Sequence, residues 1–136
     1  MDSLNFTPGR ALFLSQSLNG RWATVFEDEG ASGYLYACDR TLGEDDKGIL
    51  DAMLVYNGSA LEKRERLASV QWSRDGQRAA FYLDGTAQAL IDFAARESFC
   101  RSNFPNFLDG AAAPWRQSSH AWDDAAFSRF EAELYE

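Results

Sequence analysis

The side chains able to do chemistry are few and widely spaced. His120 is the only histidine among 136 residues, and Cys38 and Cys100 are the only cysteines. A cysteine nucleophile needs a base within hydrogen-bond reach. Cys100 stands near the start of the aromatic stretch "FCRSNFPNFLDGAAAPW", residues 99–115, and His120 follows it, so a Cys/His pair of these two is one arrangement the chain offers, though nothing in the sequence brings them together. The competing expectation is structural, since cysteine is among the most often buried residue types and His120 stands in a polar stretch beside a helix start. A serine triad has no Gly-x-Ser-x-Gly elbow to sit on. Arg101 lies between aromatics, where a guanidinium stacks on a ring or pairs with a carboxylate. Pinning the loop is its ordinary use. The other use is ligand recognition, with Arg101, Cys100 and His120 serving a pocket under the aromatic loop.

The remaining chemistry is thin. The acidic runs "FEDEG" and "GEDDKG" fail the calcium-loop pattern, which needs oxygen ligands at positions 1, 3 and 5, glycine at 6 and glutamate at 12. One histidine and two distant cysteines do not make a zinc site. There is no Gly-x-Gly-x-x-Gly and no Gly-Lys-Ser/Thr phosphate cradle, so no metal and no cofactor is expected. The basic run Lys63-Arg64-Glu65-Arg66 is diluted by glutamate and lacks interleaved aromatics.

Charge is the stronger signal. The net charge is −8, and it is unevenly spread. Between Glu27 and Asp51 stand eight acids against Arg40 and Lys47, and from Trp122 onward five acids against Arg129. Such a surface repels phosphate backbones, which argues against nucleic acid, and steers a basic partner. Acidity also keeps a small protein soluble, which is the plainer explanation. The candidate partner-binding residues are Glu27, Asp28, Glu29, Glu44, Asp45 and Asp46, in two loops expected to share a patch.

The elements that must position these groups read as an α+β domain covering residues 1–136. "ALFLSQS" (Ala11 to Ser17) is the first strand. "GRWATVFED" and "SGYLYACD" alternate as a hairpin, and "ILDAMLVYN" (Ile49 to Asn57) reads as a strand stopped by Asn57-Gly58. "ALEKRERLAS" reads as an exposed connection or short helical turn. "LASVQW", "RAAFYL" and "TAQALIDF" follow, joined at Asp75-Gly76 and Asp84-Gly85 into a meander. The unit "WSRDG" looks like part of a propeller blade, but a propeller repeats its blade at roughly 40–50 residues, and this spelling occurs once. Ala94 to Cys100 reads as a short helical turn. The terminal helix is capped by Asp123, with Trp122 and Phe127 as a hydrophobic staple and Phe127, Phe130 and Leu134 as its apolar stripe. The expected fold is a twisted, mostly antiparallel sheet with this C-terminal helix packed against it. Its expected core is Trp22, Phe26, Trp72, Phe81, Ile91, Phe93, Phe127 and Phe130.

Three blocks, "ILDAMLVYN", "VQWSRDGQRAAFYLDGTAQALIDF" and "FCRSNFP" (Phe99 to Pro105), together resemble a family of short bacterial proteins catalogued only as a domain of unknown function. The resemblance covers roughly the middle half of the chain and implies a bacterial origin and a small stand-alone protein. It carries over no activity, cofactor or catalytic residue. Around Gln88 the chain departs from that family's more aromatic, histidine-bearing strand, which removes any site depending on such a histidine.

Two functional classes stay open at this level. The favoured one is a non-enzymatic binding protein, an immunity-type or regulatory partner of a basic protein. The alternative is a small-molecule binder or enzyme with its pocket under the loop 99–115; a structural subunit is a third reading. With no signal sequence, no apolar run long enough to span a membrane and no CxxC, the expected setting is the cytoplasm with both thiols free.

Overall fold

The computed structural model describes residues 1–42, 48–57, 61–102 and 120–135. Among them are nine strands and one α-helix. The strands are β1 (Asp2–Phe6), β2 (Ala11–Gln16), β3 (Trp22–Asp28), β4 (Ser32–Asp39), β5 (Ile49–Asn57), β6 (Arg66–Trp72), β7 (Arg78–Leu83), β8 (Thr86–Asp92) and β9 (Glu97–Cys100). A 3₁₀ turn, Arg40–Leu42, follows β4, and helix α1 is Asp124–Leu134. The strands form two antiparallel sheets, ordered β1-β6-β7-β8-β9 and β2-β3-β4-β5. This is the α+β class expected, with the strands divided between two sheets.

Alternation explains why the sheets face each other. Trp22, Thr24 and Phe26 of β3 are buried on one face, as are Leu35 and Ala37 of β4 and Met53 and Val55 of β5. From the other sheet come Val70, Ala79, Phe81, Ala89 and Ile91. Phe26 meets Phe81 at 5.0 Å between ring centroids and Phe6 edge-on at 5.3 Å. Each such ring removed from water contributes about 1.5–3 kcal/mol. At one end of this core Phe93 is held between Trp22, at 5.0 Å, and Trp72, at 5.7 Å. Six of the eight expected core residues are buried; Trp72 and Phe127 are half-buried at its margins.

The five-stranded sheet is apolar on its other face too. Ala80, Leu90 and Phe99 pack there against Phe130 of α1. Leu90 interrupts the alternation of β8 because it faces the helix rather than the inter-sheet core. The cap is built as expected. Asp123 Oδ1 accepts from the amides of Ala125 and Ala126 at 2.9 and 3.1 Å, and Trp122 lies 5.4 Å from Phe127.

The turn at Ser73–Gly76 occurs twice, which its spelling conceals. At Ser73 the hydroxyl donates to Asp75 Oδ1 (2.6 Å) and accepts from the Arg78 amide (3.0 Å), while Gly76 N donates to Ser73 O (3.0 Å). At Ser17 the hydroxyl donates to Asn19 Oδ1 (2.6 Å) and accepts from the Trp22 amide (3.2 Å), and Gly20 N donates to Ser17 O (2.9 Å). Gly76 and Gly20 have φ of 71° and 75°. Asn and Asp both offer an Oδ1 acceptor, so either completes the turn. The fold is thus two consecutive meanders, β2–β5 and β6–β9, each opened by this turn, with β1 added beside β6. The two turns are neighbours, since a Cβ on Gly76 would stand 3.5 Å from Ser17 Cβ.

Two local expectations are corrected. Residues 97–100 form strand β9 rather than a helical turn, because Ser98, Phe99 and Cys100 pair with Ile91, Leu90 and Ala89 and are buried. The polar "DSLNF" segment, given no element from its sequence, is strand β1, whose partner β6 supplies the apolar surface. Both cysteines are free thiols, and among the described residues no helix is long and apolar enough to cross a membrane.

Both glycines of the Asp-Gly turns are left-handed, Gly76 with φ 71° and Gly85 with φ 82°, and neither is crowded: a Cβ would meet Ser17 Cβ at an ordinary 3.5 Å at Gly76 and nothing at Gly85. Gly76→Val and Gly85→Val are each expected to cost about 1–2 kcal/mol, because a β-branched residue is forced to positive φ. Urea unfolding of both variants checks this; wild-type stability in either would contradict the left-handed turn at that position.

Candidate functional site

Three regions hold the residues singled out from the sequence. The first is the seam where β9 and β5 bring the two sheets together. The chain returns at His120 to continue beside β9. Cys100 N donates to His120 O at 2.8 Å, and Cys100 and Ala121 form a parallel bridge. Cys100 and His120 therefore meet, but through the backbone. The sulfur lies 3.2 Å from Ser102 Oγ, which donates to Leu54 O of β5. The imidazole turns to Asp51 of β5, with Nε2 2.7 Å from Oδ2 and both side chains fully buried. Asp51 was not singled out from the sequence; its place on the inward face of a strand was the only sign, and that pattern ordinarily marks an apolar residue.

This arrangement is a brace. A nucleophile needs its base in reach and its reactive atom accessible, yet Cys100 is fully buried and hydrogen-bonded to a serine. The Asp51–His120 pair joins the returning chain to β5, and Ser102 joins the end of β9 to the same strand. Removing one partner of a buried hydrogen bond leaves the other unsatisfied, which typically costs about 1–3 kcal/mol.

Arg101 forms the second region. Its Nε donates to Ala87 O at 2.7 Å, and its guanidinium lies 4.2 Å above the Trp122 ring. Trp122 in turn donates from Nε1 to Asp124 Oδ1 at 2.7 Å. Arg101 thus ties the start of α1 to the edge of β8. The rest of the aromatic loop, residues 103–119, lies outside the described residues.

The acidic residues make the third region, and they differ from one another. Glu29 is exposed at the β3–β4 turn. Glu27 faces outward and accepts from the Tyr36 hydroxyl at 3.1 Å. Burial, with the Glu27 carboxylate beside it, pushes the Tyr36 pKa up to about 12. Asp28 is not a surface acid. It is 2% exposed, and its two oxygens accept from Gly30 N at 2.6 Å and Gly9 N at 3.3 Å. Its carboxylate braces the turn and the approach to β2. Glu44, Asp45 and Asp46 lie outside the described residues. β4 runs from the Glu29 turn to the opposite end of its sheet, where Asp39 is level with Trp22 and Cys38 with Ile49. The chain therefore leaves β4 toward residue 43 at the end opposite Glu27 and Glu29, which contradicts the expectation that the two acidic loops share a patch.

One surface was not anticipated. β2 is a terminal strand of its sheet, and its outward leucines are open to solvent: Leu12 is 69% and Leu14 52% exposed, with Leu18 beyond them at 95%. Between β2 and β1 runs an open groove of about 680 Å³ lined by Met1, Asp2, Phe13, Leu14, Gln16 and Leu18, among others. Alternation in "ALFLSQ" placed two leucines on one face, but nothing in the local sequence says which strands end a sheet.

If the seam is a brace, its removal is a stability effect. Asp51→Ala is expected to destabilise by about 1–3 kcal/mol, and the double change Asp51→Leu/His120→Leu by less than the two single changes combined. Denaturant unfolding of the set measures this. Wild-type stability in Asp51→Ala would contradict the brace.

Comparison with known proteins agrees with the bacterial resemblance. The model of the family described as uncharacterized proteins conserved in bacteria, DUF2251, matches residues 6–131. An uncharacterized protein of Haemophilus influenzae is 29% identical over 86 residues, covering 62% of this chain and 52% of its own length. The chain therefore matches about half the length of that relative. No solved structure matches. With the family model covering nearly all of its strands and most of its helix, the chain belongs to the DUF2251 family.

Proposed function

We propose that this chain is a non-enzymatic, cytoplasmic binding protein whose partner is a basic protein, in an immunity-type or regulatory role. The observation that carries the reading is a row of solvent-exposed leucines, Leu12, Leu14 and Leu18, on a chain of net charge −8. Exposed apolar side chains grouped on one edge mark interaction surfaces, and the charge sets the sign of what approaches. The groups that a catalytic or ligand-binding reading needs have other occupations. Cys100 is buried against Ser102, His120 is bonded to Asp51, and Arg101 lies over Trp122. The acidic residues proposed to steer a partner are Glu27 and Glu29 by the β3–β4 turn, with Glu44, Asp45 and Asp46 as a second set outside the described residues. Asp28 has a structural task.

The test is capture of a partner from the native host, followed by association kinetics with the purified pair. The association rate is expected to fall about tenfold or more between low and high salt, and to fall at low salt in Glu27→Lys/Glu29→Lys or Glu44→Lys/Asp45→Lys/Asp46→Lys. A partner that binds both charge-reversed variants as fast as the wild type at low salt would contradict electrostatic steering by these acids.

A further inference from the structure

We propose that β2 receives an extended, lysine- or arginine-bearing strand of a partner protein, which adds antiparallel to the four-stranded sheet and covers the groove beside β1. This rests on the reading of the chain as a binder of a basic protein and specifies where and how the partner docks.

The backbone supplies the template. Hydrogen-bonded pairs alternate along an antiparallel ladder, and Ser17 N donates to Trp22 O at the end of the β2–β3 pairing. Counting back by twos, Ala11, Phe13 and Ser15 bond to β3. The amides and carbonyls of Leu12, Leu14 and Gln16 then point to the free edge. Edge strands are normally protected by charge, proline, bulges or a covering element. From Ala11 to Gln16 there is no charged residue, no proline and no glycine. The β2–β3 register is continuous, and the irregularities of this sheet fall between β4 and β5. An added strand finds three open backbone positions and two exposed leucines on the outer face, the combination used in strand addition.

Charge selects the occupant. Asp2 carries the one charged side chain lining the groove. Its Oδ2 accepts from Ser15 Oγ, which also accepts from Trp72 Nε1 at 2.9 Å. These bonds fix the carboxylate beside Ser15, toward the Gln16 end of the open edge. A second copy of this chain fits poorly. Two-fold antiparallel pairing centred on Leu14 lays both Asp2 carboxylates on the same side of the joined sheet, each one residue (~3.4 Å) along the strand from the axis, between molecules that each carry −8. Like charges so placed repel, whereas a cationic side chain on an incoming strand pairs with Asp2.

The experiment uses the full chain with three synthetic probes: acetyl-KVKVKVK-amide, the same peptide N-methylated at alternate residues, and acetyl-EVEVEVE-amide. Amide exchange is followed residue by residue by NMR. The cationic peptide is expected to slow exchange at Leu12, Leu14 and Gln16 by about tenfold or more. N-methylation and Leu14→Lys are expected to abolish the effect, and Asp2→Asn to weaken binding severalfold, with folding of both variants verified by unchanged melting. Binding confined to the Glu27–Glu29 turn would overturn the edge proposal while leaving the basic-partner reading standing. No binding by any probe would overturn both. Equal binding of the acidic peptide would overturn the charge selection. Protection at Leu12, Leu14 and Gln16 that grows with protein concentration alone would assign the edge to a second copy and overturn the proposal.

Discussion

Everything in this molecule depends on two meanders having nowhere to bury their apolar faces except against each other. Phe26 from one sheet and Phe81 from the other meet at 5.0 Å, and the inward rows of β3, β4, β6, β7 and β8 surround that contact. The identical turns at Ser17–Gly20 and Ser73–Gly76 start the long strands of each meander side by side, so the rows come into register at that end. Phe93, stacked between Trp22 and Trp72, closes the same end with aromatic surface from both sheets.

Two facing sheets leave two seams, and this chain treats them differently. On the β5/β9 side, backbone pairing of Cys100 with the returning chain, the Asp51–His120 bond and the Ser102–Leu54 bond knit the edges together. On the β1/β2 side the link between the side chains of the two strands is Asp2 to Ser15, relayed to Trp72. The residues that looked most chemical in the sequence sit at the knitted seam and are used to hold it. Among the described residues, the surface left open is the β2 edge with its exposed leucines, and the proposed binding role rests on it.

Much of the fold was legible because its signals are local. The alternation of "GRWATVFED", the Asp-Gly turns and the Asp123 cap with its Trp122–Phe127 staple each depend on residues near one another in the chain. What was hidden depends on distant partners. β1 is polar and becomes a strand only beside β6. β9 is four residues long and reads as strand only when set against β8. Asp28 looks like one acid among several until the amides of Gly9 and Gly30 are brought to it. Asp51 and His120 are 69 residues apart, and no spacing rule joins them. The repeated turn escaped notice because Asn19 replaces Asp75, a change that alters the spelling and leaves the hydrogen bonds intact.

Among the described residues, one edge of the four-stranded sheet is open and unprotected. Native-state amide exchange on the protein alone tests it most directly, at dilution low enough to prevent self-association. The open edge predicts alternation along β2: slow exchange at Phe13 and Ser15, whose amides bond to β3, and fast exchange at Leu12, Leu14 and Gln16. Uniform protection along Ala11–Gln16, unchanged on further dilution, would mean that the edge is already covered within the chain, and would contradict the account.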